Sequence, residues 1–299
     1  MHHKPQAGYQ ELTQPWEWRV PGGPMLRGRR ADGPGPQIHF LSGTGFCGGV
    51  YWPMLRQFLP AHGLFIHDLE GHGASDAPAG NRFSGIKATV TRAHAVIREQ
   101  GLEGRGMIGM GHSFGGALTV KLAADYPGLF RALVLLDPIL FPTPMWLTLR
   151  AGARLGMHPM AKAARRRRTG WPSRQAALDH LRGRGIYKGW SEEALACFVD
   201  HAMRPGPDGA QVLCCPPELE ANMYEHPVLA WSAIRKLDIP VLYLRGAQSY
   251  SFFERSERTA ARSNPRVELQ TVPGEHCFMQ EHPGAAHAAI AGFLGRVMR

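Results

Sequence analysis

Four short apolar runs divide the first half of the chain, and each of them ends in glycine or polar residues. The runs lie at residues 37–41, 64–68, 106–110 and 132–136. Their length and apolar content are typical of buried strands, whereas residues 89–100 carry apolar side chains at helical spacing. Strands that alternate with helices predict a parallel sheet covered on both faces. We therefore expect an α/β fold with a doubly wound, mostly parallel sheet.

The alternation of strands and helices stops near residue 141 and resumes near residue 232. Helical patterns fill the interval, and in the clearest one Ser191 is a predicted N-cap followed by two glutamates. We read this stretch as an inserted helical cap. The expected division is a core formed by residues 1–140 and 232–299, and a cap formed by residues 141–231.

The two ends of the chain give weaker signals. Residues 1–36 are rich in proline, glycine and arginine, so we expect surface chain with one short strand at 16–20. Toward the other end, the pattern predicts two strands and a closing helix, at residues 239–244, 267–272 and 285–297.

Composition favours a reduced, water-soluble protein. The chain has 299 residues, 44% of them hydrophobic, and no apolar run approaches the roughly 18 to 20 residues that cross a membrane. The first residues lack the apolar segment of a signal peptide. The five cysteines are odd in number and form no CxxC pair, and we expect adjacent Cys214 and Cys215 to be packed thiols. The expected location is cytoplasmic.

Positive charge is concentrated in one region. The net charge is +10, and residues 145–204 hold ten arginines and two lysines against four acidic residues, which is +8. The run at 165–168 is the centre of this excess. It fits either a solvated helix face or a surface that attracts an anionic substrate. We predict no nucleic-acid partner, because aromatic residues are not interleaved with the basic ones.

The pentapeptide around Ser113 carries the strongest chemical signal. Gly111-His112-Ser113-Phe114-Gly115 lies between a predicted strand and a predicted helix. A G-x-S-x-G at such a joint is a nucleophile elbow, in which a strained turn exposes the serine hydroxyl. The next backbone N–H, that of Phe114, then lies at a helix N-terminus, where partial positive charge favours an oxyanion.

Several motifs in chain order resemble those of the α/β-hydrolase family. Ser42-Gly43-Thr44-Gly45 is similar to its oxyanion loop, which usually reads His-Gly where this chain has Ser-Gly. The segment at 68–76 resembles its D-x-x-G-H-G-x-S turn, and Gly274-Glu275-His276 resembles its catalytic-histidine loop. The resemblance covers nearly the whole chain.

The resemblance implies a serine hydrolase that works through an acyl-enzyme. Ser113 would be the nucleophile and His276 the base, since a serine hydroxyl needs a base to take its proton. The N–H groups of Thr44 and Phe114 would form the oxyanion hole. His112 is expected to pack away from the serine, and His72 and His282 to stabilise turns. A small-molecule substrate is expected, and no metal or organic cofactor.

The third member of the expected catalytic triad is missing from its usual place. Ser249 stands where a G-x-x-D motif would supply the acid. We predict that Asp137 replaces it, because Asp137 follows the strand after the nucleophile strand, and some members of the family draw their acid from there. Glu254, or a dyad without an acid, is the alternative. Asp137 would otherwise only cap the turn made with Pro138.

Cleavage of a carboxylic ester is the leading hypothesis for the activity. C–C bond hydrolysis and acyl transfer use the same residues, so the sequence leaves both open. A catalytically weak ligand-binding module is a further alternative, because Ser249 replaces the acid.

Overall fold

The computed structural model describes residues 8–298, without the side chain of Asp208. The strands, in chain order, are β1 Gln14–Arg19, β2 Met25–Ala31, β3 Ile38–Leu41, β4 Leu64–Asp68, β5 Met107–His112, β6 Phe130–Leu136, β7 Gly170–Trp171, β8 Met203–Pro205, β9 Gln211–Leu213, β10 Val241–Gly246 and β11 Val267–Val272. The helices are α1 Trp52–Leu55, α2 Ile86–Glu99, α3 Phe114–Asp125, α4 Thr143–Arg154, α5 Pro159–Arg166, α6 Arg174–Leu181, α7 Glu192–His201, α8 Pro217–Tyr224, α9 Trp231–Lys236, α10 Ser251–Ser263, α11 Phe278–Glu281 and α12 Pro283–Val297.

Eight strands form one central sheet in the order β1-β2-β4-β3-β5-β6-β10-β11. The first two pairs in that order are antiparallel and the others are parallel. The carboxyl ends of the parallel strands therefore meet at one edge, where sites form in sheets of this type. The predicted α/β fold with a mostly parallel sheet is confirmed.

Both faces of the sheet are buried, and β6 shows how. Ala132, Val134 and Leu136 pack into one core with α1, α7 and α12. Leu133 and Leu135 point to the opposite face and pack with α2, α3 and α9. Because successive side chains of a strand alternate, a strand covered on both faces is apolar throughout. This explains why the sequence shows continuous apolar runs and confirms the doubly wound arrangement.

The chain between β6 and α9 contains α4 to α8 and a small antiparallel sheet, β7-β9-β8. The predicted helix start at Ser191 is confirmed, since its hydroxyl accepts the N–H of Ala194. The sequence pattern predicted only helices here, because strands of two or three residues are too short to show a period. The division into a core and a cap stays a prediction.

Two properties of the described residues bear on the setting of the protein. No helix among residues 8–298 is long and apolar enough to cross a membrane. All five cysteines are free thiols, so Cys214 and its neighbour Cys215 are not bonded to each other.

Candidate active site

Ser113 occupies a strained turn between β5 and α3. Its φ of 53° and ψ of −116° lie in a region that side-chain-bearing residues rarely adopt. Its N–H donates to the carbonyl of Leu136, and its own carbonyl accepts the N–H of Ile139. A Cβ on Gly115 would lie 2.3 Å from the carbonyl oxygen of Leu41, so only glycine fits there. The elbow is therefore held by backbone bonds and close packing.

Three side chains form a continuous hydrogen-bond chain at this turn. Nε2 of His276 is 3.0 Å from Oγ of Ser113, and Nδ1 of His276 is 3.2 Å from Oδ2 of Asp137. Asp137 follows β6, and His276 lies in the loop after β11. The structure thus brings together all three side chains for which the sequence predicts catalysis.

Asp137 is fully buried and held in place by its neighbours. Its φ of 38° is positive, and Oδ1 accepts the N–H of Gly246 at 3.3 Å. Burial raises the pKa of this carboxyl, while the nearby Ser249 hydroxyl, the Gly246 N–H and the charge of Arg245 act in the opposite direction. The Ser249 Oγ lies near Asp137 but does not reach hydrogen-bonding geometry with any group in the described chain.

The alternative acid, Glu254, does not approach the histidine. It lies exposed on α10 and forms an ion pair with Arg258 at 3.1 Å. Ser249, which stands where the sequence motif would place the acid, lies next to Asp137. The loops after β6 and β10 therefore meet beside His276, and the carboxylate comes from the loop after β6.

The His276 ring is enclosed by aromatic side chains. It stacks on Phe253 at 5.2 Å between ring centroids, and Tyr250 lies at 5.5 Å. Burial lowers the pKa of His276 to about 4, because the imidazolium would lose its hydration. The ring is therefore neutral at neutral pH, which is the state that a general base requires.

Two backbone N–H groups beside Ser113 are free to bind an oxyanion. The N–H of Gly43 donates to the hydroxyl of Tyr51 at 3.1 Å, and that of Gly45 donates to Nε2 of His72 at 2.9 Å. Between them, the N–H of Thr44 has no partner in the described chain, and neither has the N–H of Phe114 at the start of α3. These two N–H groups without a partner are the ones that the sequence predicted for the oxyanion hole.

Of the other histidines that the sequence singles out, His72 and His112 are buried and hydrogen-bonded, and His282 is not. His112 is buried, with Nδ1 2.7 Å from the Tyr51 hydroxyl and Nε2 3.0 Å from the carbonyl of His276. His72 is buried and bonds to two loop groups, whereas His282 is exposed and its side chain makes no cap bond to α12. Tyr51 had no sequence signal, since it belongs to no motif.

Two adjoining cavities, here called lobes, lie beside the serine and the histidine and share several lining residues. The apolar lobe, about 390 Å³, reaches Ser113 and Phe114 and is lined by Ile139, Phe141, Met145, Leu149, Val228 and Phe252. The second lobe, about 630 Å³, reaches His276 but not Ser113, and its lining includes the apolar side chains of Phe46, Met160 and Ile186. We call it the polar lobe because, unlike the first, it also contains charged and amide side chains, those of Arg167, Glu220, Gln248 and Glu275. Thr44 and His276 line both lobes.

The arginine run at 165–168 is partly neutralised. Arg165 bonds to Glu218 and Glu225, and Nη1 of Arg167 lies 2.6 Å from Oε2 of Glu220. Residues 205–231 add four acidic residues and no lysine or arginine, so they offset half of the +8 counted upstream. The run is therefore neither a wholly solvated face nor an unopposed positive surface.

Comparison with known proteins gives the family. A model of the alpha/beta hydrolase family matches residues 40–290. A 2-(acetamidomethylene)succinate hydrolase of Mesorhizobium japonicum is 25% identical over 92% of this chain and 94% of its own length. A type I acyl-CoA thioesterase of Penicillium roqueforti is 31% identical over 59% of this chain and 42% of its own length.

A solved structure shows the same fold over nearly the full length. The crystal structure of an E-2-(acetamidomethylene)succinate hydrolase superimposes with a TM-score of 0.77 at 22% identity, covering 95% of this chain and 99% of that one. With the family match across most of the chain, these similarities identify the protein as a member of the α/β hydrolase family.

Proposed function

We propose that this chain hydrolyses carboxylic esters or related acyl bonds through an acyl-enzyme on Ser113. The observation that carries the proposal is the hydrogen-bond chain from Ser113 through His276 to Asp137. It is the arrangement that turns a weak hydroxyl nucleophile into a reactive one. The placement of Asp137 also removes the reason for a catalytically weak binding module, which was the absence of an acid at Ser249.

The geometry supports a two-step reaction. In the first step, Ser113 Oγ attacks the acyl carbon while His276 Nε2 takes its proton, and the N–H groups of Thr44 and Phe114 stabilise the oxyanion. His276 then gives this proton to the leaving group as the acyl–oxygen bond breaks. In the second step, water attacks the acyl-enzyme, His276 takes the proton of the water, and the acid product leaves with Ser113 restored. Asp137 holds the imidazole and stabilises its charged form. No step needs a metal or an organic cofactor.

The relatives favour acyl chemistry but do not identify the type of bond that this chain cleaves. One acts on 2-(acetamidomethylene)succinate, and another is an acyl-CoA thioesterase. An acyl-enzyme explains both activities, since the same serine can accept an acyl group from an amide, a thioester or an ester. C–C bond hydrolysis and acyl transfer to an alcohol would use the same residues and remain the alternatives.

Three finer features belong to this proposal. Residues 141–231 act as a cap over Ser113, which is supported by the cavity-lining side chains of Met145, Leu149 and Met160. That the substrate carries an anionic group stays a prediction. The ion pairs of Arg165 and Arg167 with glutamates weaken the positive charge on which it rests. Cytoplasmic location and the absence of a nucleic-acid partner also stay predictions.

A fluorophosphonate probe tests the proposed nucleophile. The wild-type protein should be labelled on Ser113, and Ser113→Ala should lose both labelling and turnover while keeping its thermal unfolding midpoint. Ser84→Ala, which removes a serine whose hydroxyl bonds to Glu70 and Arg92 and not to a histidine, is the matched control and should label normally. A screen of p-nitrophenyl esters and C–C hydrolase substrates then identifies the type of bond that the enzyme cleaves. Absence of labelling in a folded wild-type protein would reject the proposal.

A further inference from the structure

The two lobes of the cavity differ in what they can hold. In the apolar lobe, the side chains that surround Ser113 are mainly aliphatic and aromatic, and its outer wall is formed by Met145 and Leu149 of α4. In the polar lobe, the lining includes the charged side chains of Arg167 and Glu220 and the amide of Gln248. A substrate that spans both lobes therefore has one apolar end and one polar end.

The catalytic geometry decides which end lies where. The acyl carbon bonds to Ser113 Oγ, so the acyl group stays in the apolar lobe, which contacts Ser113 and Phe114. The leaving group must receive a proton from His276 Nε2. Both lobes reach His276, but only the apolar lobe also reaches Ser113. With the acyl group in the apolar lobe, a leaving group that passes His276 extends into the polar lobe.

The polar lobe contains a balanced pair of charges, formed by a buried Glu220 and a partly exposed Arg167. Arg167 donates from Nη1 to Glu220 at 2.6 Å and from Nη2 to the hydroxyl of Tyr187 at 3.1 Å. The second carboxylate oxygen of Glu220 accepts no hydrogen bond from the described chain and lies beside Gly45 of the oxyanion loop. The pair thus keeps N–H donors and one carboxylate oxygen for a ligand.

The charge balance selects the ligand class. An anion gains little from a guanidinium already paired with Glu220, and a cation is repelled by Arg167. Glu275 at the rim is offset by Lys188, whose Nζ lies 3.9 Å from it. A hydroxyl group both donates and accepts, so it matches a site that offers one donor and one acceptor.

From these observations we propose that the substrates are esters of an apolar acid with an uncharged, hydroxylated alcohol. The apolar lobe binds the acyl group, and the Arg167–Glu220 pair binds the hydroxyls of the alcohol. Arg167 and Glu220 are then specificity-determining residues. The inference rests on the proposed function, since it needs Ser113 as nucleophile and His276 as proton donor.

Three hexanoate esters that share a three-carbon leaving group test the assignment. They are the propyl ester, the 1-glyceryl ester and the 2-carboxyethyl ester. The glyceryl ester should exceed the propyl ester about 10-fold in kcat/KM, since one or two added hydrogen bonds are each worth about 1 kcal/mol. The carboxyethyl ester should not exceed the propyl ester. A propyl ester as good as the glyceryl ester, or a preferred carboxyethyl ester, overturns the inference.

Paired variants separate the two lobes. Arg167→Met with Glu220→Met removes both charges together and should bring the glyceryl-to-propyl ratio close to 1. Arg165→Met is the matched control: Arg165 lies in α5, which ends one residue before Arg167, and it pairs with Glu218 and Glu225 but lies outside the cavity lining. It should keep the ratio. Leu149→Trp should lower kcat/KM for hexanoyl relative to acetyl esters and leave the glyceryl-to-propyl ratio unchanged.

The outcomes distinguish this inference from the function beneath it. If the double variant does not fold, the glyceryl-to-propyl ratio is measured on Glu220→Gln and on Tyr187→Phe instead. Each of these single variants should lower that ratio. Probe labelling with turnover of all three esters, but without a glyceryl preference, rejects the lobe assignment and keeps the serine hydrolase. A folded protein that neither labels nor turns over any ester rejects both.

Discussion

Asp137 and His276 are 139 residues apart in the chain, yet Oδ2 of Asp137 lies 3.2 Å from Nδ1 of His276. Strand β10 lies between β6 and β11 in the sheet, so the loops that carry the two residues leave neighbouring positions on one edge. A second bond, from the N–H of Gly246 at the end of β10 to Asp137, fixes the carboxylate. The acid is thus supported by the strand that usually supplies it.

Asp137→Asn should lower kcat by up to about 10⁴-fold, because an amide favours the wrong imidazole tautomer and carries no charge. Steady-state kinetics on a confirmed ester measures the loss. Asp125→Asn, at an exposed residue near Lys121, should change nothing. Near-normal turnover in a folded Asp137→Asn protein would show that the carboxylate has no catalytic role.

An acid at position 249 should rescue that variant. The side chain of Ser249 lies next to Asp137, so Ser249→Asp places a carboxylate near the Nδ1 side of the same histidine. Asp137→Asn with Ser249→Asp should regain at least about 10-fold in kcat over the single variant, because the imidazolium regains a counter-charge. In the wild-type background, Ser249→Asp should lower activity, since two buried carboxylates repel. No recovery in a folded double variant would mean that the loop at 249 cannot reach the ring.

How far the sequence predicts the site depends on where each residue lies. Asp137 and Ser113 are predictable because each ends a strand, and strand ends converge at one edge. Arg167 and Glu220 are 53 residues apart on elements whose packing no period reveals, so their pairing and their cavity are visible only in the fold. Within the run at 165–168, nothing in the sequence distinguishes Arg167 from its neighbours.

The pH profile should report the His276–Asp137 pair. Burial lowers the pKa of His276, and the base must be neutral, so kcat/KM should rise with pH through a limb below pH 6.5 and stay flat above it. In Asp137→Asn the limb should move to lower pH, because the imidazolium loses its anionic partner. A profile measured on both proteins checks this, and a limb that moves upward would contradict it.

His39→Phe should stabilise the protein. The His39 ring lies between Phe65 and Phe130, and neither ring nitrogen has a partner in the described chain. An unsatisfied buried polar group costs about 1 kcal/mol or more. Burial holds the folded pKa well below 6.5, so the unfolded state binds the extra proton and stability falls as pH drops below 6.5.

The gain from His39→Phe should therefore depend on pH. We expect about 1 kcal/mol at pH 8 and about 2 kcal/mol more at pH 5, measured by urea unfolding. His62→Phe is the control, since that ring lies nearer the surface and bonds to the carbonyl of Pro36. An equal gain at both pH values would mean that His39 does not stay neutral in the folded state.

Gly115→Ala should damage both stability and activity. The added methyl would lie 2.3 Å from the carbonyl oxygen of Leu41 and 2.4 Å from that of Ser42, and both are backbone atoms. The oxyanion loop must then move away from α3, and we expect kcat/KM to fall on the order of 10²-fold. Gly292→Ala meets only the end of Arg296 at 3.8 Å and should raise stability by about 0.5 to 1 kcal/mol. Thermal unfolding and kinetics on both variants decide between these outcomes.

An ionic-strength series tests the attraction of anionic substrates. Because Arg166 and Arg168 are exposed, kcat/KM for an anionic ester should fall with salt while that of a neutral analogue stays flat. The fall should be shallow, since Arg165 is already paired with two glutamates. Identical salt responses of the two esters would remove the hypothesis.

The sequence predicts strands with apolar residues better than strands rich in charge. Strand β4 is buried throughout and has the predicted bounds, because Gly63 precedes it and Asp68 ends it. Strand β11, at the edge of the sheet, also has the predicted bounds, although only Val267 and Val272 at its two ends are buried. Strand β2 was missed: three of its seven residues are arginines, and Gly28 interrupts it. It forms through backbone pairing to β1 and β4, which the side-chain pattern does not record.

The indole N–H of Trp231 donates to the carbonyl of Phe141 at 2.9 Å, which joins the two ends of the segment inserted between β6 and β10. A segment that leaves and re-enters the sheet at one point is a closed loop, and the entropy of closing a loop changes slowly with its length. Insertions and deletions within this segment can therefore accumulate without moving β6 or β10. Substrate choice and catalysis can then evolve on separate parts of one chain.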